Sequence, residues 1–257
     1  MTDWERDGYF VLRSFATPDE CAELRRACDV VLERMLAEGA AGADATNIAF
    51  LTQRRWFGAD LAPLGLLLRW IADGRVRDRL EPLGPSPLLF FNTQYFHEQA
   101  RLSWDGPWHR DVQFESKDDR EEQERMASST ALHFRIACEP DERLELVPGS
   151  HRRWDSAAEL AIRRGDARER PDMPGRARIA LGRGDACVFH AWMIHRGTYG
   201  PAPARRTFDV LYTLGPPTRF GEPAPADTLR DPEVRSLLDP DALAFHEASV
   251  AAYDRGP

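Results

Sequence analysis

The chain has no apolar stretch long enough to cross a membrane, and its opening residues, Met1-Thr-Asp-Trp-Glu-Arg-Asp7, carry no basic segment leading into an apolar one. Neither a membrane protein nor an exported one is expected. Paired cysteines are missing as well: Cys21, Cys28, Cys138 and Cys187 lie scattered, without the short spacings of a zinc knuckle or a disulfide framework. That usage fits a reducing, cytoplasmic compartment. Positive charge is in deficit, with 34 Lys and Arg against 42 Asp and Glu and a formal net charge of −8. Nucleic acid and anionic membranes carry the same sign, so both are poor partners and a small-molecule partner is favoured. No internal repeat is visible, and nothing in the sequence fixes an oligomeric state.

What is present suits a globular protein with a sizeable core: 42% hydrophobic residues, 30% charged, and 18 glycines and 19 prolines to make turns. Its 257 residues are read as one domain, 1–257, made of a helical part over 1–84, a β core over 85–215 and a helical extension over 216–257. Thr17-Pro-Asp-Glu20 predicts a capping box with proline at the first helical position, and Cys21, Leu24, Cys28, Val31, Leu32 and Met35 then recur at helical spacing. Leu64 to Leu80 predicts further helices, broken near Gly74. From Leu88 the pattern changes to short apolar and aromatic strands: 88–96, 131–137, 144–147, 178–181, 186–190, 193–196 and 207–214, with Gly and Pro turns between them. Many short strands imply a sandwich or barrel. Helical spacing returns over 231–253.

The chemistry centres on Trp108-His109-Arg110-Asp111, with His195 and Arg206 far downstream. On an extended strand His109 and Asp111 point the same way, and a closed β structure brings distant strands face to face, so His195 is the third ligand expected. Two imidazoles and one carboxylate hold a metal while leaving positions open, which suits non-haem Fe(II) and oxygen activation.

Further matches surround this trio. Gly8-Tyr9-Phe10-Val11 stands near the start, Pro148-Gly-Ser-His151 forms a turn, Gly184-Asp185 enters a strand, and Arg206 follows His195 by eleven residues. Taken in order, residues 5 to 215 resemble the phytanoyl-CoA dioxygenase family of Fe(II)- and 2-oxoglutarate-dependent oxygenases. The resemblance implies a mainly β fold, a double-stranded β-helix or jelly roll with flanking helices. It implies Fe(II) held by His109, Asp111 and His195, and 2-oxoglutarate and O2 as cosubstrates. It also implies an arginine for the far carboxylate of 2-oxoglutarate; the eleven-residue spacing favours Arg206, with Arg205 as its rival. Related halogenases lack the carboxylate ligand, so retention of Asp111 favours hydroxylation of an aliphatic C–H. A catalytically silent relative that only binds, and a cupin-type metal enzyme without 2-oxoglutarate, are the alternatives. The resemblance does not name the substrate.

Asn92 and Gln94, at same-face spacing, and His133 are added as candidates for contact with the cosubstrate. His190, His151, His97 and His246 are read as structural. The charged run Glu115 to Arg125 is read as solvated surface, with a substrate-responsive lid as the sharper reading. Trp104, Trp108 and Trp192 flank the ligands and are expected to wall the cavity or to pack in the core.

Overall fold

The signals at Thr17 act as expected. Its side chain accepts from the Glu20 amide at 3.2 Å while the Glu20 carboxylate accepts from the Thr17 amide at 2.8 Å, and a 20-residue helix follows. The protein is described by a computed structural model over residues 3–42, 44–97, 103–165, 171–201 and 205–254. In chain order its elements are α1 (Asp3–Asp7), β1 (Tyr9–Leu12), α2 (Pro18–Ala37), β2 (Asn47–Ala49), α3 (Ala62–Ile71), α4 (Gly74–Leu80), β3 (Leu88–Phe96) and β4 (Trp104–Asp105). They continue with α5 (Asp119–Ser128), β5 (Thr130–Ala137), β6 (Asp141–Leu146), α6 (Ala157–Arg164), β7 (Ala177–Leu181), β8 (Ala186–His190), β9 (His195–Tyr199), β10 (Thr207–Leu214), α7 (Pro232–Arg235) and α8 (Pro240–Asp254).

The strands form two sheets, a six-stranded one in the order β1-β8-β5-β10-β3-β2 and a four-stranded one in the order β4-β9-β6-β7, and every pairing is antiparallel. This is the jelly roll with flanking helices. One expectation is corrected: the helical part assigned to 1–84 also contributes β1 and β2, which pair with β8 and β3. Their short runs, Tyr9-Phe-Val-Leu12 and Asn47-Ile-Ala49, bear too little alternation to stand out beside the strong helical periodicity of α2.

Alternation along the strands sorts the two faces of the large sheet. Phe208, Val210 and Tyr212 join Phe134, Val188 and Tyr95 in a core packed against Leu24, Val31, Leu64 and Leu68 of the N-terminal helices. Burying each such side chain contributes roughly 1.5–3 kcal/mol. The other parity, His133, Arg135, Phe96 and Leu211, lines a cavity between the sheets. The helices thus back one face and leave the opposite one for polar chemistry.

Candidate active site

His109 and His195 meet as a backbone pair. The His109 amide donates to the His195 carbonyl at 3.0 Å and the His195 amide to the His109 carbonyl at 2.9 Å, an isolated antiparallel bridge. Residues directly opposite in such a pair project to the same face, and the two imidazole centroids lie 4.2 Å apart. Asp111 does not continue the extended run, contrary to expectation. Its amide donates to the Ala191 carbonyl at 3.1 Å and it opens a 3-10 turn, Asp111–Glu115. The physical reason is Arg110, fully buried on the opposite side, where Nε and Nη2 donate to Asp155 Oδ1 at 3.0 and 2.5 Å. That anchor pins the chain between the two ligand residues and starts the turn.

Ligand atoms of His109, Asp111 and His195 all lie within 4.8 Å of one another. Each histidine Nε2 stands 3.5 Å from Asp111 Oδ1. Their Nδ1 atoms face backbone carbonyls, of Pro107 for His109 and of Met193 for His195, both at 2.9 Å. A carbonyl only accepts, so Nδ1 carries the proton and Nε2 turns its lone pair inward, the tautomer a metal requires. Burial, with His109 alongside, pushes His195 down to about 3 and keeps it neutral. Burial alone would raise Asp111, but the histidines around it, with His133 hydrogen-bonded to Oδ2, hold the carboxyl well below its usual range.

His133 braces this carboxylate from the large sheet. Its Nε2 lies 2.7 Å from Asp111 Oδ2 and its Nδ1 2.9 Å from Asp209 Oδ2. Burial opposes its charge, yet the two carboxylates outweigh burial and lift it to about 9. Arg135 donates to the same Asp209 oxygen from Nε at 3.0 Å and Nη2 at 2.5 Å. Asp209 leaves little trace in the sequence. Its signal was a lone acid within the apolar strand Thr207-Phe-Asp-Val-Leu-Tyr212.

A cavity of about 230 Å³ opens onto the trio, lined also by Asn47, Gln94, Phe96, Phe114, His133, Arg135, Leu144, Gly197, Tyr199, Leu211 and Phe220. Gln94 reaches it, whereas the Asn92 amide is held by the Glu222 carbonyl at 2.9 Å. A larger cavity, about 430 Å³, lies elsewhere among Phe50, Leu68, Phe90, His246 and Tyr253 and touches none of the three ligands.

Arg206 lies apart from this cavity. Its guanidinium donates to the His97 and Arg205 carbonyls and lies 3.5 Å from Asp29 of α2, on the helix side of the sheet. Register bears on this: Thr207 pairs with Ala137 and Asp209 with Arg135, so Thr207 and Asp209 share the inward rank of β10, and the same alternation carried back before the strand turns Arg205 inward. Arg205 is buried, 3.1 Å from Asp141 Oδ2, with its guanidinium 4.4 Å from the Phe96 ring centre; Arg135 lies 4.5 Å from that same ring.

His190 and His151 pack beside Trp4 away from the trio, and Trp192 and Trp108 are buried in the core. Trp104 instead stacks on Tyr199 at 4.1 Å. Of the charged run 115–125, residues 119–125 belong to helix α5, fixed by a fully buried ion pair of Glu122 with Arg163 at 2.8 Å.

The profile described as phytanoyl-CoA dioxygenase (PhyH) matches residues 4–206. No curated protein matches. Among solved structures, AviO1 from Streptomyces viridochromogenes Tue57 superposes with a TM-score of 0.60 at 19% identity, over 87% of this chain and 95% of that one. SnoN, a non-heme alpha ketoglutarate dependent epimerase from nogalamycin biosynthesis, gives 0.57 at 22% identity, over 88% and 91%. EvdO2 from Micromonospora carbonacea var. aurantiaca gives 0.57 at 18%, over 87% and 92%. At such identities the superpositions speak for the jelly roll alone. The profile, by contrast, runs from α1 past the distal histidine, and on that ground the chain belongs to the phytanoyl-CoA dioxygenase family of iron- and 2-oxoglutarate-dependent oxygenases.

Proposed function

We propose that the protein hydroxylates an aliphatic C–H bond of a small molecule, with Fe(II) at His109, Asp111 and His195 and with 2-oxoglutarate and O2 as cosubstrates. The observation that carries this reading is the pair of Nε2 atoms, each 3.5 Å from Asp111 Oδ1, with both Nδ1 protons committed to carbonyls. Neutral imidazoles and one carboxylate fit a divalent iron and leave coordination positions for other molecules. When bound, iron and 2-oxoglutarate supply oxygen activation and two electrons, so that 2-oxoglutarate leaves as succinate and CO2 while the substrate C–H becomes C–OH.

The chain's own residues position and shield. His133 holds the outer oxygen of Asp111 and so keeps Oδ1 turned to the two histidines. Arg135 lines the cavity two residues along β5 from His133, about 7 Å further on by strand geometry. We assign it the far carboxylate of 2-oxoglutarate, with Arg205 beyond Phe96 as second anchor and Gln94 as a neutral contact. Phe96, Leu144, Leu211 and Phe220 exclude water. Four buried, unpaired cysteines support the cytoplasm as the compartment.

The test is anaerobic titration of the Fe(II)-loaded protein with 2-oxoglutarate, watching the weak visible charge-transfer band of the chelate. A band in the wild type that Asp111→Ala lacks is the expected result. No band in the loaded wild type would move the reading to a silent binding scaffold or a cupin-type enzyme without 2-oxoglutarate.

A further inference from the structure

Four large apolar side chains are markedly exposed among the described residues: Val30, Leu36, Trp104 and Phe114, at 37, 41, 41 and 63%. Two of them stand at the candidate site. Phe114 lies three residues beyond Asp111 in the same 3-10 turn, lines the cavity, and has its ring centre 5.5 Å from that of His109. Trp104 stacks on the cavity-lining Tyr199 with an interplanar angle of 15°.

Tyr199 is a fixed wall. A methyl group at Gly197 would meet its hydroxyl oxygen at 2.8 Å, and one at Gly106 would meet the Gly197 carbonyl at 2.7 Å and the Tyr199 ring at 3.3 Å. Two glycines therefore open the space in which this ring lies flat, and Trp104 closes it from outside. Phe220, also in the lining, is held in turn by a stack on Phe91 with centroids 4.4 Å apart. Phe114 differs, being a large ring left mostly in water beside a metal ligand. Among the described residues the only acid in the lining is Asp111, a metal ligand, and the charged neighbour Arg135 is cationic. That lining offers nothing to a cationic substrate and much to the apolar face of an uncharged ring.

Building on the assignment of this cavity as the reaction centre, we infer that the substrate presents the apolar face of an uncharged ring, an aromatic system or the C–H face of a sugar, seated against Phe114 with Tyr199 as the rigid side wall. Phe114 is then the specificity-determining residue. Ring stacking contributes about 0.5–1.5 kcal/mol beyond area burial, which corresponds to up to about tenfold in affinity.

Saturation-transfer NMR on the full chain without added metal tests this with four probes: 2-naphthol, methyl β-D-glucopyranoside, 1-hexanol and tetramethylammonium. The expected result is that a ring probe binds, that Phe114→Ala weakens it about tenfold, that Phe114→Trp restores it and that Val30→Ala leaves it unchanged. A preference for naphthol or for the glucoside identifies which ring is recognised. The inference is overturned if neither ring probe binds, if Phe114→Ala leaves ring binding intact, or if hexanol or tetramethylammonium shows the same dependence on Phe114. These measurements need no iron. Ring binding without the charge-transfer band would remove the dioxygenase reading, and the band without ring binding would remove only the present inference.

Discussion

Arg205 and Arg206 are neighbours in sequence and opposites in the fold. Alternation dictates that they diverge, but which one turns inward depends on where β10 begins against its partners, and Thr207 opposite Ala137 and Phe96 settles it. Spacing from His195 points to Arg206 and carries no information on parity, so which of the two arginines turns inward was not legible in the sequence. The convergence of His109, Asp111 and His195 was, because they are of metal-binding types and stand in family order. Asp209 was not, since a single acid in a strand announces neither its face nor its partners. At this scale the prediction concerns Arg135. Truncating one partner of a buried charged contact costs about 2–5 kcal/mol, so the Arg135→Ala/Asp209→Asn double variant should need at least about 30-fold more 2-oxoglutarate. Pairing the two changes avoids stranding the buried Asp209 carboxylate without its guanidinium. Arg206→Ala should stay within a few-fold of wild type. Decarboxylation assays over a range of 2-oxoglutarate concentrations check both, and a large effect confined to Arg206→Ala would refute the assignment.

Whole elements follow their local signals where those signals are strong. Strands β3, β8 and β10 match the apolar runs at 88–96, 186–190 and 207–214, and α2 starts at its capping box. The segment at 109–111 departs because a tertiary anchor, Arg110 on Asp155, overrides the extended reading. Helix α8 illustrates a different dependence on context. Its His246 is buried with Nε2 2.9 Å from the Leu68 carbonyl, and burial lowers it from 6.5 to about 4. Between these values the unfolded chain binds one more proton than the folded one. The contribution of neutral His246 is therefore complete above about 6.5 and is lost as pH falls toward 4, at up to about 1.4 kcal/mol per unit. His246→Gln keeps a donor for Leu68 and cannot titrate. Urea melts at pH 7.5 and 5.5 should show the wild type losing about 1 kcal/mol more than this variant; equal losses would mean that His246 titrates alike in the folded and unfolded chain.

For the whole molecule, the resemblance to a known family made the jelly roll legible, whereas strand order and the sharing of sheets by β1 and β2 depend on pairings between distant segments that periodicity does not encode. The site lies where the two sheets face each other. His195 belongs to the four-stranded sheet, and Asp111, which sits beside it, is braced by His133 of the six-stranded one. A metal ion bound here ties both sheets to the 109–111 segment at once, and a ligand that binds only the folded state stabilises it by mass action. At a free metal concentration of 100 Kd the gain is about 2.7 kcal/mol, and each kcal/mol raises the melting temperature of a chain this size by roughly 2–4 °C. Fe(II) under anaerobic conditions, or Mn(II) in its place, should therefore raise the melting temperature by about 5–10 °C. Asp111→Ala should abolish that rise while melting cooperatively without metal, since the two histidines remain anchored by their reciprocal backbone bonds and their Nδ1 contacts. Calorimetric scans of both proteins with and without metal provide the check. A rise of equal size in Asp111→Ala would place the stabilising metal elsewhere, and no rise in the wild type at saturating Fe(II) would mean that these side chains hold no metal at all.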